Sequence, residues 1–169
     1  SKTTGHWTGF SLNWYKELVR DRNIVNALST TVEVAVLASF ISTVIGTVSA
    51  IALHGSGAFS KKFMLGAAYL PMLNPDIVTG VSLMILFGSI GMGLGFGTMM
   101  LSHISFCVPY VIISVLPKLY GLNSNTFEAA LDLGSSRFNA YRKVVLPEIV
   151  PGIISGFVIS MTLSIDDFM

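Results

Sequence analysis

Three carboxylates stand out in a sequence that is otherwise poor in charge. Asp76 follows Asn74-Pro75, and Asp166-Asp167 close the apolar run that ends Ser164-Ile165. An acid taken out of water needs a cation, a hydrogen-bond donor or trapped water beside it. Two readings of Asp166 and Asp167 stay open. They end a membrane span as solvated boundary residues, or they form a site for an ammonium-bearing cation, which carboxylates and aromatic walls complement. Neighbouring residues diverge by roughly 100° around a helix, so at most one of the two would face a central cavity squarely. Asp76 has the same pair of readings. It is an acid suited to the positive end of a restarting helix, or an intramembrane carboxylate on a transport path. Trp14 is the aromatic candidate for that path. The alternative makes it one of several interfacial anchors with Trp7, Phe10 and Tyr15.

Other chemistries find little support. His6, His54 and His103 have no ligand-like spacing, and the single Cys107 excludes an internal disulfide or a multi-thiolate metal site. Gly88, Gly91, Gly93, Gly95 and Gly97 form an uncharged loop, but no Gly-Lys-Ser/Thr follows, so it is not a phosphate cradle. The net charge of +1 comes without a basic patch, so nucleic acid is not a partner.

The elements that must position these residues are membrane spans. The chain of 169 residues is 52% hydrophobic and only 11% charged, with mean hydropathy +0.72. A soluble domain carries about 25% charged residues. Residues 1–27 read as an extracytoplasmic or interfacial segment. Residues 28–169 read as the membrane domain, with spans over about 28–53, 63–89, 98–116 and 149–165. The first span holds one acid, Glu33, and a stripe of small residues, Ser42, Gly46, Ser49 and Ala50. The second is interrupted at Pro71, Asn74 and Pro75. Asn74 reads as a cap and Pro75 as a first-turn residue. A broken span needs protein or a water-filled cavity around the break, so residues 71–76 are expected to line an interior. Pro109 reads as a kink in the third span, and Pro117-Lys118 as its exit.

The one long polar island is residues 123–151, between the third and fourth spans. Asn125 reads as the cap of a short helix, with Glu128 reciprocating three residues on. Gly134 sits where a left-handed residue ends a helix. A second run extends from Ser136 to about Val145, stopped by Pro147. Phe127, Ala130 and Leu131 share one face of the first helix, and Phe138 and Tyr141 one face of the second. Lys61, Lys62, Lys118, Arg137, Arg142 and Lys143 lie on the side of this island. Lys2, Lys16, Arg20 and Arg22 lie on the other, a bias that points the island to the cytoplasm.

The same residues carry a resemblance. Glu128-Ala129-Ala130, then Gly134, then Val144-Val145-Leu146-Pro147 resembles, in spacing as well as type, the EAA loop of ABC importer permeases. In that family the loop is cytoplasmic and docks into the ATP-hydrolysing subunit, which makes residues 118–148 the expected coupling loop of the membrane domain. The stretches NPDIVTGVSLMILF, LSHISFCVPYVIISV, FEAALDLGSS and TLSIDDF are similar to the polyamine branch of the family, the second inner-membrane subunits of spermidine/putrescine importers. The resemblance implies an all-α, polytopic transmembrane helical bundle of the type I ABC importer permease fold. The expected fragment would lack the first and last of six spans. It implies coupling through Glu128, Ala129, Ala130, Gly134, Leu146 and Pro147, and a substrate path through Trp14, Asp76, Asp166 and Asp167. It implies no cofactor and no catalysis in this chain, with ATP bound by the partner. The implied partners are an ABC ATPase, a second permease subunit, a periplasmic or extracellular substrate-binding protein and membrane lipid. The implied place is the inner membrane. Relatives moving iron or sulfate share the loop, so those solutes are the alternative cargo. An ion-coupled secondary carrier and an intramembrane acid-pair hydrolase using Asp76 and Asp166 are the readings from other classes.

Overall fold

The computed structural model describes Leu18 and residues 20–167. Every regular element among them is helical. Helix α1 spans Arg22–His54, α2 Ala58–Leu73, α3 Asp76–Ser89, α4 Phe96–Tyr120, α5 Ser124–Asp132 and α6 Arg137–Ala140. A π-helical turn, Tyr141–Val145, leads directly into α7, Leu146–Asp166.

Among the described residues, three helices are long and apolar enough to cross a membrane: α1, α4 and the continuous stretch from Arg137 to Asp166. The pair α2 and α3 makes a fourth span if counted as one broken element, bent by 105°. The break falls at Asn74-Pro75, where the sequence placed it. The cap differs. Pro75 is the capping residue and Asn74 makes no side-chain cap bond, while Asp76 opens the first turn.

Helices α1, α4 and α7 form the packed centre. Lipid tails are as apolar as leucine, so spans associate where small side chains let backbones approach closely. The ladder between α4 and α7 has this form. Gly152 lies against Ser114 and Val115, and Gly156 against Val111. Cys107 Sγ then points at the carbonyl of Ser160 (3.6 Å), and His103 meets Ser164. The rungs fall one helical turn apart, so the two helices run antiparallel in one register. Gly46 of α1 leaves room for the same Val111, and Ser42 Oγ donates to the carbonyl of Ile104 (3.4 Å). Of the stripe expected on the first span, Ser42, Gly46 and Ala50 are buried and Ser49 is half-buried at its edge.

Helix α1 is longer than its apolar run. Asp21 caps it, accepting from the amide of Asn23 (2.9 Å), so residues 22–27 form its first turns. Its 33 residues reach about 50 Å at 1.5 Å per residue, beyond a hydrocarbon core of about 30 Å.

Two proline expectations are corrected. Pro117-Lys118 does not end the third span, because α4 runs through Pro109 and Pro117 to Tyr120. Pro147 does not stop the second short helix. It lacks an N–H, and its ring collides with the carbonyl four residues back. The π turn absorbs both problems: the amide of Leu146 donates to Tyr141, five residues back, and the helix continues. Arg137 and Asp166 therefore belong to one helical rod.

The break at residues 71–76 lies at the edge of this bundle. Pro71 and Met72 are half-buried and residues 73–76 are exposed. Helix α2 buries no residue, and α3 buries only Gly80 and Phe87. The described residues do not enclose the interior expected there.

Candidate functional site

Two regions hold the candidate residues, at opposite ends of α7. The first is an elbow made by α5 and α6. Asn123, not Asn125, caps α5, its side chain accepting from the amide of Asn125 (3.0 Å). In Asn123-Ser124-Asn125 either asparagine could cap, and the helix begins two residues earlier than expected. Glu128 therefore lies mid-helix and exposed, and closes no capping box.

The end of α5 follows the sequence. Gly134 has φ +84°, its amide donates to Leu131 (2.9 Å), and the amide of Ser135 donates to Ala130 (3.1 Å). That pair of bonds satisfies the last carbonyls of the helix and requires the left-handed residue between them. Ser136 caps α6 through the amide of Asn139 (3.4 Å).

Phe127, Ala130 and Leu131 are half-buried together, the shared face their spacing indicated. Phe127 meets Tyr141 edge-on, ring centres 5.0 Å apart, and packs with Leu122 on a core that includes Val145 and Ile149. The elbow is thus fastened to the bundle from inside. Its other face is open. Glu128, Ala129, Leu146 and Pro147 are exposed, and Leu133 and Phe138 are 88% and 75% exposed. Phe138 and Tyr141 share a face, as their spacing indicated: both line a groove with Ile51 and Val145, and Tyr141 also meets the Phe127 ring. Beside the elbow, Lys61 Nζ sits 4.8 Å from the centre of the Tyr120 ring. It also donates to the carbonyl of His54 (3.5 Å), tying the α1–α2 turn to the end of α4.

The second region is the far end of α7. Asp166 closes the helix and is exposed. Asp167, its C-cap, turns inward, and its side chain is 3% exposed. Both acids sit at the negative end of a helix dipole, which disfavours them by about 0.3–1 kcal/mol each. The fold answers with His103 on α4. His103 Nε2 is 3.9 Å from Asp167 Oδ2, and His103 Nδ1 is 2.7 Å from Ser164 Oγ. Asp167 also lines an apolar cleft of about 360 Å³ between α3 and α4, with Ile77, Met84, Phe87, Thr98 and Ser102. Asp76 stands one residue before Ile77, exposed, and is not part of that lining. Trp14 lies outside the described residues. No cluster of histidine, cysteine and acids suited to a metal occurs among the described residues.

Sequence reasoning missed His103 and Ser164. Each looks like an isolated polar residue in an apolar run. The available signal was the four-residue spacing of Gly152, Gly156, Ser160 and Ser164, matched on α4 by His103, Cys107, Val111 and Val115.

Comparison with known proteins places this geometry in context. Residues 24–169 match the family described as binding-protein-dependent transport system inner membrane component. The chain is 39% identical, over 95% of its length, to the spermidine/putrescine transport system permease protein PotC of Haemophilus influenzae. It is 38% identical over 96% of its length to PotC of Escherichia coli K12. It is 34% identical over its full length to the putrescine transport system permease protein PotI of the same strain. It covers 63%, 61% and 63% of these three relatives, about three-fifths of their length.

Proposed function

This chain belongs to the family of binding-protein-dependent transport system inner membrane components, and from that premise we propose that it is the polyamine-conducting permease subunit of an ATP-driven importer. The observation that carries the reading is Asp167, a buried carboxylate at the end of a spanning helix, facing an apolar cleft. A polyamine presents that combination in complement: ammonium groups separated by methylene runs. Likeness to spermidine/putrescine and putrescine permeases supports the same cargo.

In this reading the chain breaks no bond. ATP is bound and hydrolysed by a partner ATPase, which grips the exposed face of the elbow: Glu128, Ala129, Leu133 and Phe138. The rod from Arg137 to Asp166 is continuous, so displacement of α6 is carried along α7 to Asp167. Gly134 sets the angle between α5 and α6, and Leu146 and Pro147 set the junction of elbow and rod. Asp76 and Asp166, together with Trp14, contribute further contacts along the path. A second permease subunit covers the open faces of α2 and α3, where Phe59, Phe63, Ile77 and Ile85 are exposed. A substrate-binding protein delivers the cargo.

The test is uptake of labelled spermidine into proteoliposomes holding the assembled importer and its binding protein. The reading expects uptake with ATP and none with ADP. Uptake that persists without ATP and collapses with an ion gradient would replace it with a secondary carrier.

A further inference from the structure

We propose that the groove beside the elbow is a site for an anionic phospholipid, with its phosphate on Arg142 and an acyl chain laid along α1 and α7. The groove has a volume of about 300 Å³ and is lined by Ile51, Phe138, Tyr141, Arg142, Val145 and Leu146. Ile51 lies in the last turn of α1, and Leu146 opens α7, so both spans reach the groove at their elbow end. Every lining residue but one is aliphatic or aromatic, and the exception is a guanidinium. Arg142 is exposed and joins no ion pair among the described residues. A lone cation on the rim of an apolar groove complements a ligand that is anionic at one end and apolar at the other. The planar fork of arginine suits phosphate, and its stem can lie along apolar surface. Basic pockets between spans bind anionic headgroups in this way.

The surroundings continue the fit. Arg142 precedes Leu146 by about one helical turn, roughly 6 Å along the rod. If the hydrocarbon begins with the apolar run of α7, the guanidinium stands at the depth of the phosphates. From the groove an apolar row runs along each span. On α7 it is Leu146, Val150, Ile154 and Val158, all exposed and spaced to share one face. On α1 it is Ile51, half-buried, then Val48, Val44 and Ile41, all exposed. A protein segment laid here would have to bring its own carboxylate to Arg142, whereas a phospholipid carries headgroup and chain already joined. Phe138 and Tyr141 belong to the elbow and Ile51 to the bundle, so the lipid braces one against the other. Lys143 separates this site from general surface attraction, because it is exposed beside Arg142 and does not line the groove.

The experiment replaces Leu146 with photoreactive benzoylphenylalanine in the assembled importer. The complex is held in nanodiscs with phosphatidylglycerol as the minor lipid and phosphatidylcholine as the major one. Mass spectrometry then reads what the probe has captured. Phosphatidylglycerol should be enriched about fivefold over its share of the bilayer. A probe at Ile51, across the groove, should give the same enrichment. A probe at Val158, on the same row but far from Arg142, should capture the two lipids in their bulk ratio. Arg142→Gln should return the Leu146 adducts to that ratio, and Lys143→Gln should leave them enriched. Capture at the bulk ratio from both Leu146 and Ile51 would overturn the proposal, because it marks ordinary lipid contact. A peptide adduct in place of lipid would overturn it by showing another protein segment in the groove. Equal losses in the two glutamine variants would overturn it by showing that surface charge alone gathers the lipid. The enrichment is measured with Arg142 and Lys143 both in place, so a glutamine variant that fails to assemble leaves the main result standing.

Discussion

Gly134 adopts φ +84° with nothing within 4 Å of where a side chain would stand. Substitution there is penalised by backbone conformation alone, at about 1 kcal/mol for most residues. Asparagine tolerates that conformation better than a β-branched residue does. Gly134→Val should therefore lower ATP-driven uptake much more than Gly134→Asn, with both proteins reaching the membrane. Equal uptake by the two would mean that the elbow angle is irrelevant to coupling. The acids at the other end give a second contrast. Asp167→Asn should reduce uptake by about tenfold or more, as expected for losing a charged partner of the cargo. Asp166→Asn removes an exposed charge from the negative end of α7 and should slightly raise thermal stability. A larger loss of uptake in Asp166→Asn than in Asp167→Asn would show that the outward acid, not the inward one, is the cargo's main contact.

At the scale of elements, the ladder of small residues and the π turn carry the account. A Cβ on Gly46 would lie 2.6 Å from Val111 Cβ, and one on Gly152 would lie 2.9 Å from the Ser114 carbonyl oxygen. Gly46→Leu and Gly152→Leu must therefore force α1 or α7 off α4. Each should destabilise the bundle by about 1–3 kcal/mol, read as a lowered melting temperature of the purified complex in detergent. Pro147→Ala restores a donor and removes the ring, so the π turn can relax to α-helix. That change rotates α6 relative to α7 by roughly 100°. ATP hydrolysis should then continue while uptake per ATP falls.

What was legible at this scale was local. The left-handed Gly134, the break at Asn74-Pro75 and the half-buried face of Phe127 follow from signals a few residues apart. What failed depended on the rest of the chain. Pro147 and Pro117 carry strong stop signals, yet packing of α7 and α4 in the bundle keeps both helices going. Asn123 and Asn125 are equivalent by type, and only the path of the chain out of α4 selects Asn123. His103 gains its meaning from the register with α7, which brings together residues 61 positions apart.

At the scale of the molecule, three packed helices form a stable centre and the broken pair α2–α3 lies outside it. The chain covers about three-fifths of its curated relatives, and its open apolar faces fit a component that is completed by other protein. The elbow and Asp167 sit at opposite ends of one helical rod. In the importer reading, this rod moves as a unit when the ATPase acts.

That claim is tested most directly by distances between spin labels in the assembled importer. One pair joins Asn139 at the rod's near end to Ile165 near its far end, and a second joins Leu94 by the cleft to Ile165; all three positions are exposed. On passing from the nucleotide-free to the ATP-bound state, the first distance should stay constant and the second should change by several ångströms, roughly the scale of a helix shift. A change in the first distance with the second fixed would show that the rod bends and does not carry motion to the cleft.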